Sequence, residues 1–183
     1  MKEPIPGKYD WVYDLDLTSM YPNIMISLNI SPETKYAKVD NFDAISWANK
    51  IQNEFVVENK KYSREEFKQF LITNNLSLAS NGVMYTLDKQ GFIPTLLVNW
   101  FNKRKEYRKL AKECKLKGDI VTHDYYDRLQ QAWKLLLNSS YGNLGMSLFR
   151  FYDAENAEAV TTTGVTIIQM TGKSINKFYN DKI

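Results

Sequence analysis

The chain has 183 residues, of which 44% are hydrophobic and 25% are charged, and its formal net charge is +3. These values fit a globular protein with one core of moderate size or two small subdomains, and the charge alone does not identify a nucleic-acid partner. A single cysteine, Cys114, excludes a disulfide framework and a cysteine-rich zinc site. No apolar run reaches the roughly 18–20 residues of a membrane span and no signal peptide is visible, so we expect an intracellular protein.

The first third of the chain predicts a strand, a helix and an ambiguous segment. Residues 9–17 are β-prone, and a strand there would place Asp16 at its end. Residues 19–28 predict a helix, because Pro22 falls in the first turn and an apolar face follows. Residues 42–55 allow a further helix.

The middle of the chain carries a helix start signal and a hairpin. Ser63 and Glu66 have the spacing of a capping box, which predicts a short helix ending near Ile72. Turn-forming residues flank a predicted strand over residues 83–87. Gly91 is expected to end that hairpin.

Two long helices and a last helix follow. The first is predicted from Pro94 to about Leu116, where Gly118 stops it, and the second over about residues 124–141. The short connection between them predicts an antiparallel pair. Asp153 can cap the last helix. An apolar stripe runs along that helix through Ala157, Val160, Gly164, Ile167, Thr171, Ile175 and Phe178.

Basic residues are concentrated on the first long helix. Residues 103–117 contain eight Lys and Arg residues against two Glu residues, and Arg104 and Arg108 are four positions apart, on one helical face. The second long helix presents on one face Lys134, Asn138 and Tyr141. An antiparallel pair would then offer a clamp for a polyanion. The alternative is a pair of surface helices with ordinary solvated charges.

Acidic residues at the end of the first predicted strand indicate a cation site. Asp16 precedes a tight polar turn, a place where a hard cation such as Mg²⁺ is often held. Asp14 points to the same side of the strand and is either a second ligand or a solvent contact. The only histidine, His123, falls in the turn between the long helices, where an exposed residue is expected rather than a metal ligand or a base.

Two segments together resemble a known family. Residues 16–22, Asp-Leu-Thr-Ser-Met-Tyr-Pro, resemble motif A of family B DNA polymerases, and residues 134–142, Lys-Leu-Leu-Leu-Asn-Ser-Ser-Tyr-Gly, resemble motif B in the right order. The resemblance is to the replicative polymerases of T-even-type bacteriophages in particular. It extends over most of the chain apart from about residues 36–77, through residues 29–34, 81–85, 91–95 and 101–106.

The resemblance implies roles for the residues of motif A. Asp16 matches the carboxylate that binds both catalytic Mg²⁺ ions, and the carbonyl of Leu17 matches a backbone metal ligand. Ser19 and Met20 match the turn whose amides meet the triphosphate of the incoming dNTP. Tyr21 matches the aromatic residue under the sugar, which excludes a ribose 2′-hydroxyl.

The resemblance also implies roles on the two long helices. Arg104, Lys134 and Asn138 match residues that grip the triphosphate, and Arg108 falls where the phage relatives carry Lys. Tyr141 and Gly142 match the floor under the nascent base pair. The family's Tyr-x-Asp-Thr-Asp turn, motif C, is absent from the sequence, and so are the exonuclease and thumb. Because motif C supplies the second metal-binding aspartate, the 183 residues are expected to be inactive alone.

The fold expected from these patterns is α+β. It combines a partial polymerase palm, a small antiparallel sheet with helices, and a two-helix antiparallel fingers insertion. The expected divisions are residues 1–93 for the first palm part, with an insertion at about 36–77, residues 94–143 for the fingers, and residues 144–183 for the second palm part.

The function expected from the resemblance is a fragment or split subunit of a template-directed DNA polymerase. Its expected partners are dNTPs, primer–template DNA and a second polypeptide that carries motif C and the thumb. A phage-encoded protein of this kind would act in the cytoplasm of a bacterial host. Two alternatives are a non-catalytic nucleic-acid or nucleotide-binding remnant and a purely structural helical protein.

Overall fold

A computed structural model describes residues 6–8 and 16–180 of the chain. Most of the strand expected over residues 9–17, together with Asp14, lies outside these residues. The described helices are α1 (Met20–Leu28), α2 (Ala44–Ala48), α3 (Arg64–Thr73), α4 (Phe92–Leu116), α5 (Ile120–Leu144) and α6 (Ala154–Asn180). The described strands are β1 (Lys35–Lys38), β2 (Glu54–Val57), β3 (Lys60–Ser63), β4 (Leu76–Leu78) and β5 (Val83–Thr86). None of the described helices is long and apolar enough to cross a membrane.

The described strands form two small antiparallel sheets, as the α+β prediction requires. One has the order β1-β5-β4 and the other pairs β2 with β3. The hairpin between β4 and β5 turns tightly at Gly82, whose φ is +86°. A Cβ at Gly82 would lie 2.8 Å from the carbonyl oxygen of Val39, so glycine is required there.

The helix expected over residues 42–55 is wrong in its extent. Helix α2 has five residues, and the chain then turns into β2, which pairs with β3. Asp43 starts α2 by accepting hydrogen bonds from the amides of Ile45 and Ser46. The helix ends at once because Lys50 takes a left-handed conformation, with φ 60°. In contrast, the capping box of Ser63 and Glu66 is confirmed at the start of α3.

Two hydrophobic clusters form the core. The larger is built from α1, β5 and the three long helices, and Met25, Leu97 and Leu137 are fully buried in it. The smaller lies under β2 and α3, where the rings of Phe55 and Phe67 stack with centroids 4.5 Å apart. The segment over residues 36–77 therefore carries its own small core against β5.

The long helices α4 and α5 form the expected antiparallel pair. Trp100 faces Trp133 and Tyr107 faces Tyr126, with centroids 6.4 and 6.1 Å apart, so the residue number rises on one helix as it falls on the other. Helix α4 begins two residues before Pro94.

Helix α5 begins at Ile120, earlier than expected, because the side chain of Asp119 accepts a hydrogen bond from the amide of Thr122. His123 is therefore inside α5 rather than in a turn. Its Nδ1 lies 2.9 Å from the carbonyl oxygen of Ala111, so the imidazole connects the two helices near their tip and is partly buried.

The start of α6 is fastened to β1 by ion pairs. Asp153 caps α6 as predicted, accepting from the amide of Asn156 at 3.0 Å. Lys35 on β1 lies 3.1 Å from Asp153 and 2.6 Å from Glu155, and Lys38 lies 3.2 Å from Glu155. These contacts bring two elements together that are more than 100 residues apart in sequence.

We expect this fastening to make stability depend on acidic pH. The hydrogen bonds from Lys35 and Lys38 lower the pKa of Glu155 below its ordinary value of 4.5. Because the folded-state pKa is lowered, the contribution is present above pH 4.5 and is lost as the pH falls through the lowered value. Lys35→Met should reduce this acid sensitivity. The substitution should lower the free energy of unfolding by no more than about 1 kcal/mol, because Lys35 and its two carboxylate partners are partly exposed.

The free energy of unfolding from urea titrations at several pH values measures this effect. Lys61→Met is the matched control, because Lys61 also pairs with a glutamate, Glu54, but with both side chains largely exposed. An unchanged acid sensitivity in Lys35→Met would show that the ion pairs do not stabilise the fold.

Candidate functional site

The turn before α1 is exposed and leaves helical amides open. Asp16, Leu17 and Thr18 are exposed, and Ser19 takes a left-handed conformation with φ 48°. The side chain of Ser19 makes no capping hydrogen bond, so the first amides of α1 have no partner from that residue. Asn23 fixes the turn by donating from Nδ2 to the carbonyl of Thr18 at 2.8 Å. Exposed amides at a helix start are suited to an anion.

Tyr21 lies where three helices meet. Its ring centroid is 4.6 Å from that of Tyr141 on α5, with an angle of 44° between the ring planes. Helix α6 also comes close to Tyr21 at Gly164, where a Cβ would lie 3.2 Å from Cε1 of Tyr21 and 3.1 Å from Cε of Met20. The predicted sites on motif A and motif B are therefore in contact at this pair of tyrosines.

A cavity of about 570 Å³ runs along α4. One wall is Thr18, two residues after Asp16, and the rest is the face of α4 that carries Arg104 and Arg108. Further residues of α4 that line it are Phe101, Asn102, Lys105, Lys109 and Lys112. The motif A turn thus reaches the cationic face of α4 through Thr18, whereas Asp16 is not among the residues that line the cavity.

The guanidinium of Arg104 has no counter-charge among the residues that the structure describes. Its Nε is buried and has no hydrogen-bond partner in the part of the chain that the structure describes. Burial, and then the like charge of Arg108, lower the pKa of Arg104. Among the described residues neither arginine forms an ion pair. A bound anion would relieve both the buried donor and the repulsion.

Lys134 and Asn138 are exposed and do not line that cavity. Helical periodicity nevertheless relates them to the arginines. The predicted pair follows the tryptophan and tyrosine that face the partner helix in the same rotational sense on both helices, by about 40–100° on α4 and about 80–140° on α5. Because the helices are antiparallel, both pairs emerge on one side. If Trp133 is level with Trp100, Lys134 is about 7.5 Å from the level of Arg104 along the axis.

Gly142 follows Tyr141 near the end of α5. It is exposed, and a Cβ there would meet no atom within 4 Å. The α5 backbone is thus open at this point to a flat group from outside.

Two oxygen donors in the motif A turn could supply part of the coordination of a Mg²⁺ ion. An exposed carboxylate at Asp16 and the carbonyl of Leu17 are the hard ligands that Mg²⁺ prefers. Within residues 6–8 and 16–180, no three His, Cys, Asp or Glu residues are grouped closely enough to hold a metal. A two-metal site would need a further carboxylate beside Asp16.

The sequence matches one protein family over almost its whole length. The profile of DNA polymerase family B covers residues 2–183. The chain belongs to DNA polymerase family B. The structure supports this, since it resembles that of the family B DNA polymerase from the archaeon Pyrobaculum calidifontis, with a TM-score of 0.61 and 26% identity over 87% of this chain and 17% of that one.

Relatives within the family come from phages and archaea. The DNA-directed DNA polymerase of Escherichia phage RB69 is 28% identical over 99% of this chain, and DNA polymerase 1 of Pyrococcus abyssi is 30% identical over 96%. The chain spans 24% and 18% of these two proteins. The family is shown by the match to its profile. Because the phage and archaeal identities are similar, membership of the T-even phage type stays a prediction.

Several residues of the cavity were not predicted from sequence. Lys105, Lys109 and Lys112 were part of the basic run, but charge density alone did not separate the cavity face from the rest of α4. Thr18 was a motif residue without an assigned role. Gly164 was predicted only as part of an apolar stripe, since no sequence signal shows that its missing side chain leaves room for Tyr21.

We expect Gly164→Ala and Gly172→Ala, both on α6, to change stability in opposite directions. The new methyl group at residue 164 would press on Met20 and Tyr21 and cost about 1 kcal/mol or more. At Gly172 nothing lies within 4 Å, so alanine should stabilise the helix by about 0.5–1 kcal/mol. Urea unfolding of both variants is the measurement. A stabilised Gly164→Ala would mean that the packing against Tyr21 is loose.

Proposed function

We propose that these residues form the nucleotide-binding part of the active site of a template-directed DNA polymerase. The observation that carries the proposal is the cavity in which Thr18, two residues after Asp16, meets Arg104 and Arg108, neither of which forms an ion pair within the described part of the chain. In this proposal Arg104, Arg108, Lys134 and Asn138 bind the triphosphate of an incoming dNTP. Membership of family B supports it.

The reaction proposed for the whole enzyme is nucleotidyl transfer. The 3′-hydroxyl of a primer attacks the α-phosphate of the dNTP in line, and pyrophosphate leaves. Asp16 and the carbonyl of Leu17 would hold Mg²⁺, which supplies charge stabilisation for the attacking and leaving oxygens. The amides of Ser19 and Met20 and the cations of α4 and α5 orient and neutralise the triphosphate.

The aromatic contact supports a second set of roles. Tyr21, which lies close to both Tyr141 and Gly164, would lie under the sugar and exclude a 2′-hydroxyl. Tyr141 and the open backbone at Gly142 would form the floor under the nascent base pair. The proposed divisions are palm over residues 1–93 and 144–183 and fingers over residues 94–143.

Catalysis is proposed to require a further carboxylate, which the residues that the structure describes do not place beside Asp16. Two Mg²⁺ ions need more negative charge than Asp16 alone provides. We propose that it comes from a Tyr-x-Asp-Thr-Asp turn, carried with the thumb on a second polypeptide or elsewhere in a longer protein. We propose a phage replication role, with which the match to the RB69 polymerase over 99% of the chain is compatible.

Nucleotide binding tests the proposal. In fluorescence titrations of the 183-residue chain, Arg104→Ala and Lys134→Ala should each weaken binding of Mg²⁺-dNTP by about 10- to 100-fold, since hydrogen bonds between charged groups contribute about 1.5–3 kcal/mol. Lys103→Ala is the matched control, because Lys103 lies on the opposite face of α4 and pairs with Glu106.

The alternative function, a non-catalytic nucleic-acid-binding remnant, predicts a different pattern. Such a protein would bind duplex DNA with a steep salt dependence and show no preference for Mg²⁺-dNTP. Nucleotide affinity that is equal in the wild type and in Arg104→Ala would favour the remnant and exclude the proposed site.

A further inference from the structure

The cavity on α4 contains more positive charge than a nucleotide needs. A triphosphate with one Mg²⁺ has a net charge of about −2, and Arg104, Arg108 and Lys134 already exceed it. Lys105, Lys109 and Lys112 add three charges to the same cavity. Of these three, only Lys109 has a carboxylate near it in the described residues, Glu113 at 3.9 Å.

The additional lysines extend away from the nucleotide site. Lys112 is eight residues beyond Arg104, so it lies about 12 Å further along the helix axis. A triphosphate held at Arg104 spans only two P–O–P bridges and does not reach it. Lys105 and Lys109 are about 6 Å apart along the axis, and Lys109 and Lys112 about 4.5 Å. These spacings are comparable with the separation of successive phosphates along a single strand.

The face is also suited to a single strand rather than to a flat duplex surface. The cavity follows one helix for the length of the row from Phe101 to Lys112, about 16 Å at the helical rise. Phe101, half-buried at the inner end, offers an aromatic ring of the kind on which bases stack. A narrow cationic groove with an aromatic side chain is typical of sequence-independent binding of single strands.

We propose that Lys105, Lys109 and Lys112 form an outer phosphate track on α4 that binds the backbone of single-stranded DNA. This inference rests on the proposed function, because it takes the end of the cavity at Thr18 and Arg104 to be the nucleotide site. It adds a place on the fingers for an unpaired strand, next to the position where its base would meet the incoming nucleotide.

Fluorescence anisotropy with a labelled oligodeoxythymidylate tests the track on the 183-residue chain. Lys109→Gln with Lys112→Gln should weaken binding about fivefold or more and reduce the salt slope, −dlogK/dlog[salt], by about 0.7 for each lysine. The same variant should change the affinity for Mg²⁺-dNTP by less than about twofold, because Lys112 lies about 12 Å along the axis from Arg104 and Lys109 points about 100° around the helix from Arg108. Lys103→Gln removes one charge from the opposite face of α4 and should leave the salt slope unchanged.

The outcomes separate this inference from the proposed function. Wild-type affinity and salt slope for the oligonucleotide in the double variant would overturn the track, whatever Arg104→Ala does to nucleotide binding. A loss of Mg²⁺-dNTP binding as large as that in Arg104→Ala, with unchanged oligonucleotide binding, would assign the lysines to the nucleotide and also overturn it. Conversely, failure of Arg104→Ala to weaken nucleotide binding refutes the nucleotide site alone.

Discussion

Asp16→Asn is expected to abolish primer extension when the 183-residue chain is supplemented with a polypeptide that carries the Tyr-x-Asp-Thr-Asp turn and thumb of a family B relative. The chain alone should extend no primer, because two-metal catalysis needs the metal-binding carboxylate that we propose lies in the Tyr-x-Asp-Thr-Asp turn. With the second carboxylate supplied, extension should appear. Replacing Asp16 should then reduce it by more than about 100-fold, since removal of even one transition-state donor has such an effect.

A gel assay of primer extension with Mg²⁺ and dNTPs measures this effect. Asp124→Asn is the matched control, because Asp124 is an exposed aspartate on α5 away from the motif A turn. Extension by the unsupplemented chain would contradict the requirement for a second carboxylate. Retained extension in the supplemented Asp16→Asn variant would contradict the metal role of Asp16.

Asn29→Ala is expected to destabilise the fold by about 3 kcal/mol. Asn29 is buried after the end of α1, where its Nδ2 donates to the carbonyls of Thr86 at 2.7 Å and Lys89 at 2.9 Å, and its Oδ1 accepts from the amide of Gly91 at 2.8 Å. The substitution would leave three backbone groups without this partner, of which the amide of Gly91 is buried, and place alanine at a φ of 58°.

The effect should extend to the start of α4. Gly91 precedes that helix, and a Cβ there would lie 2.7 Å from Cβ of Ser31, so the segment after Asn29 is packed directly against the helix start. Glu33 accepts a hydrogen bond from the amide of Phe92, which lowers the pKa of the carboxyl group against the opposing effect of its burial. Asn29 therefore fixes where the cationic helix begins relative to α1.

Urea unfolding monitored by circular dichroism tests this expectation. Asn53→Ala is the matched control, since Asn53 is exposed in a loop and should change stability by no more than about 0.5 kcal/mol. Asn29→Gly removes the backbone strain of alanine at this φ but does not restore the hydrogen bonds. Its loss of unfolding free energy should therefore lie between those of Asn29→Ala and Asn53→Ala. A cost below about 1 kcal/mol for Asn29→Ala would show that water replaces the side chain in this linkage.

Local signals predicted the helices well because their causes are local. The capping box at Ser63 and the cap at Asp153 act within one helical turn, and both are present. The short connection before Asp119 likewise determined the antiparallel pair. The expected start of α5, near residue 124, is later than the observed one. Asp119 caps the helix, and its spacing to Thr122 is a capping signal in the sequence.

Long-range causes explain what the sequence did not show. The end of α2 and the strand after it depend on pairing between β2 and β3, which competes with helix propensity. The role of Gly164 depends on the approach of α6 to Tyr21, more than 140 residues away in the chain. The lysines that line the cavity could be separated from other lysines of α4 only by the position of Thr18.

A crystal structure of the chain with Mg²⁺ and a dNTP tests the central claim, that the motif A turn and the cationic helices form one nucleotide site. We expect the triphosphate to lie in the cavity on α4, with Arg104 and Lys134 in hydrogen-bonding contact with its oxygens and the carboxylate of Asp16 turned toward the Mg²⁺ ion. A nucleotide bound elsewhere, or a carboxylate of Asp16 directed away from the cavity, would contradict the account.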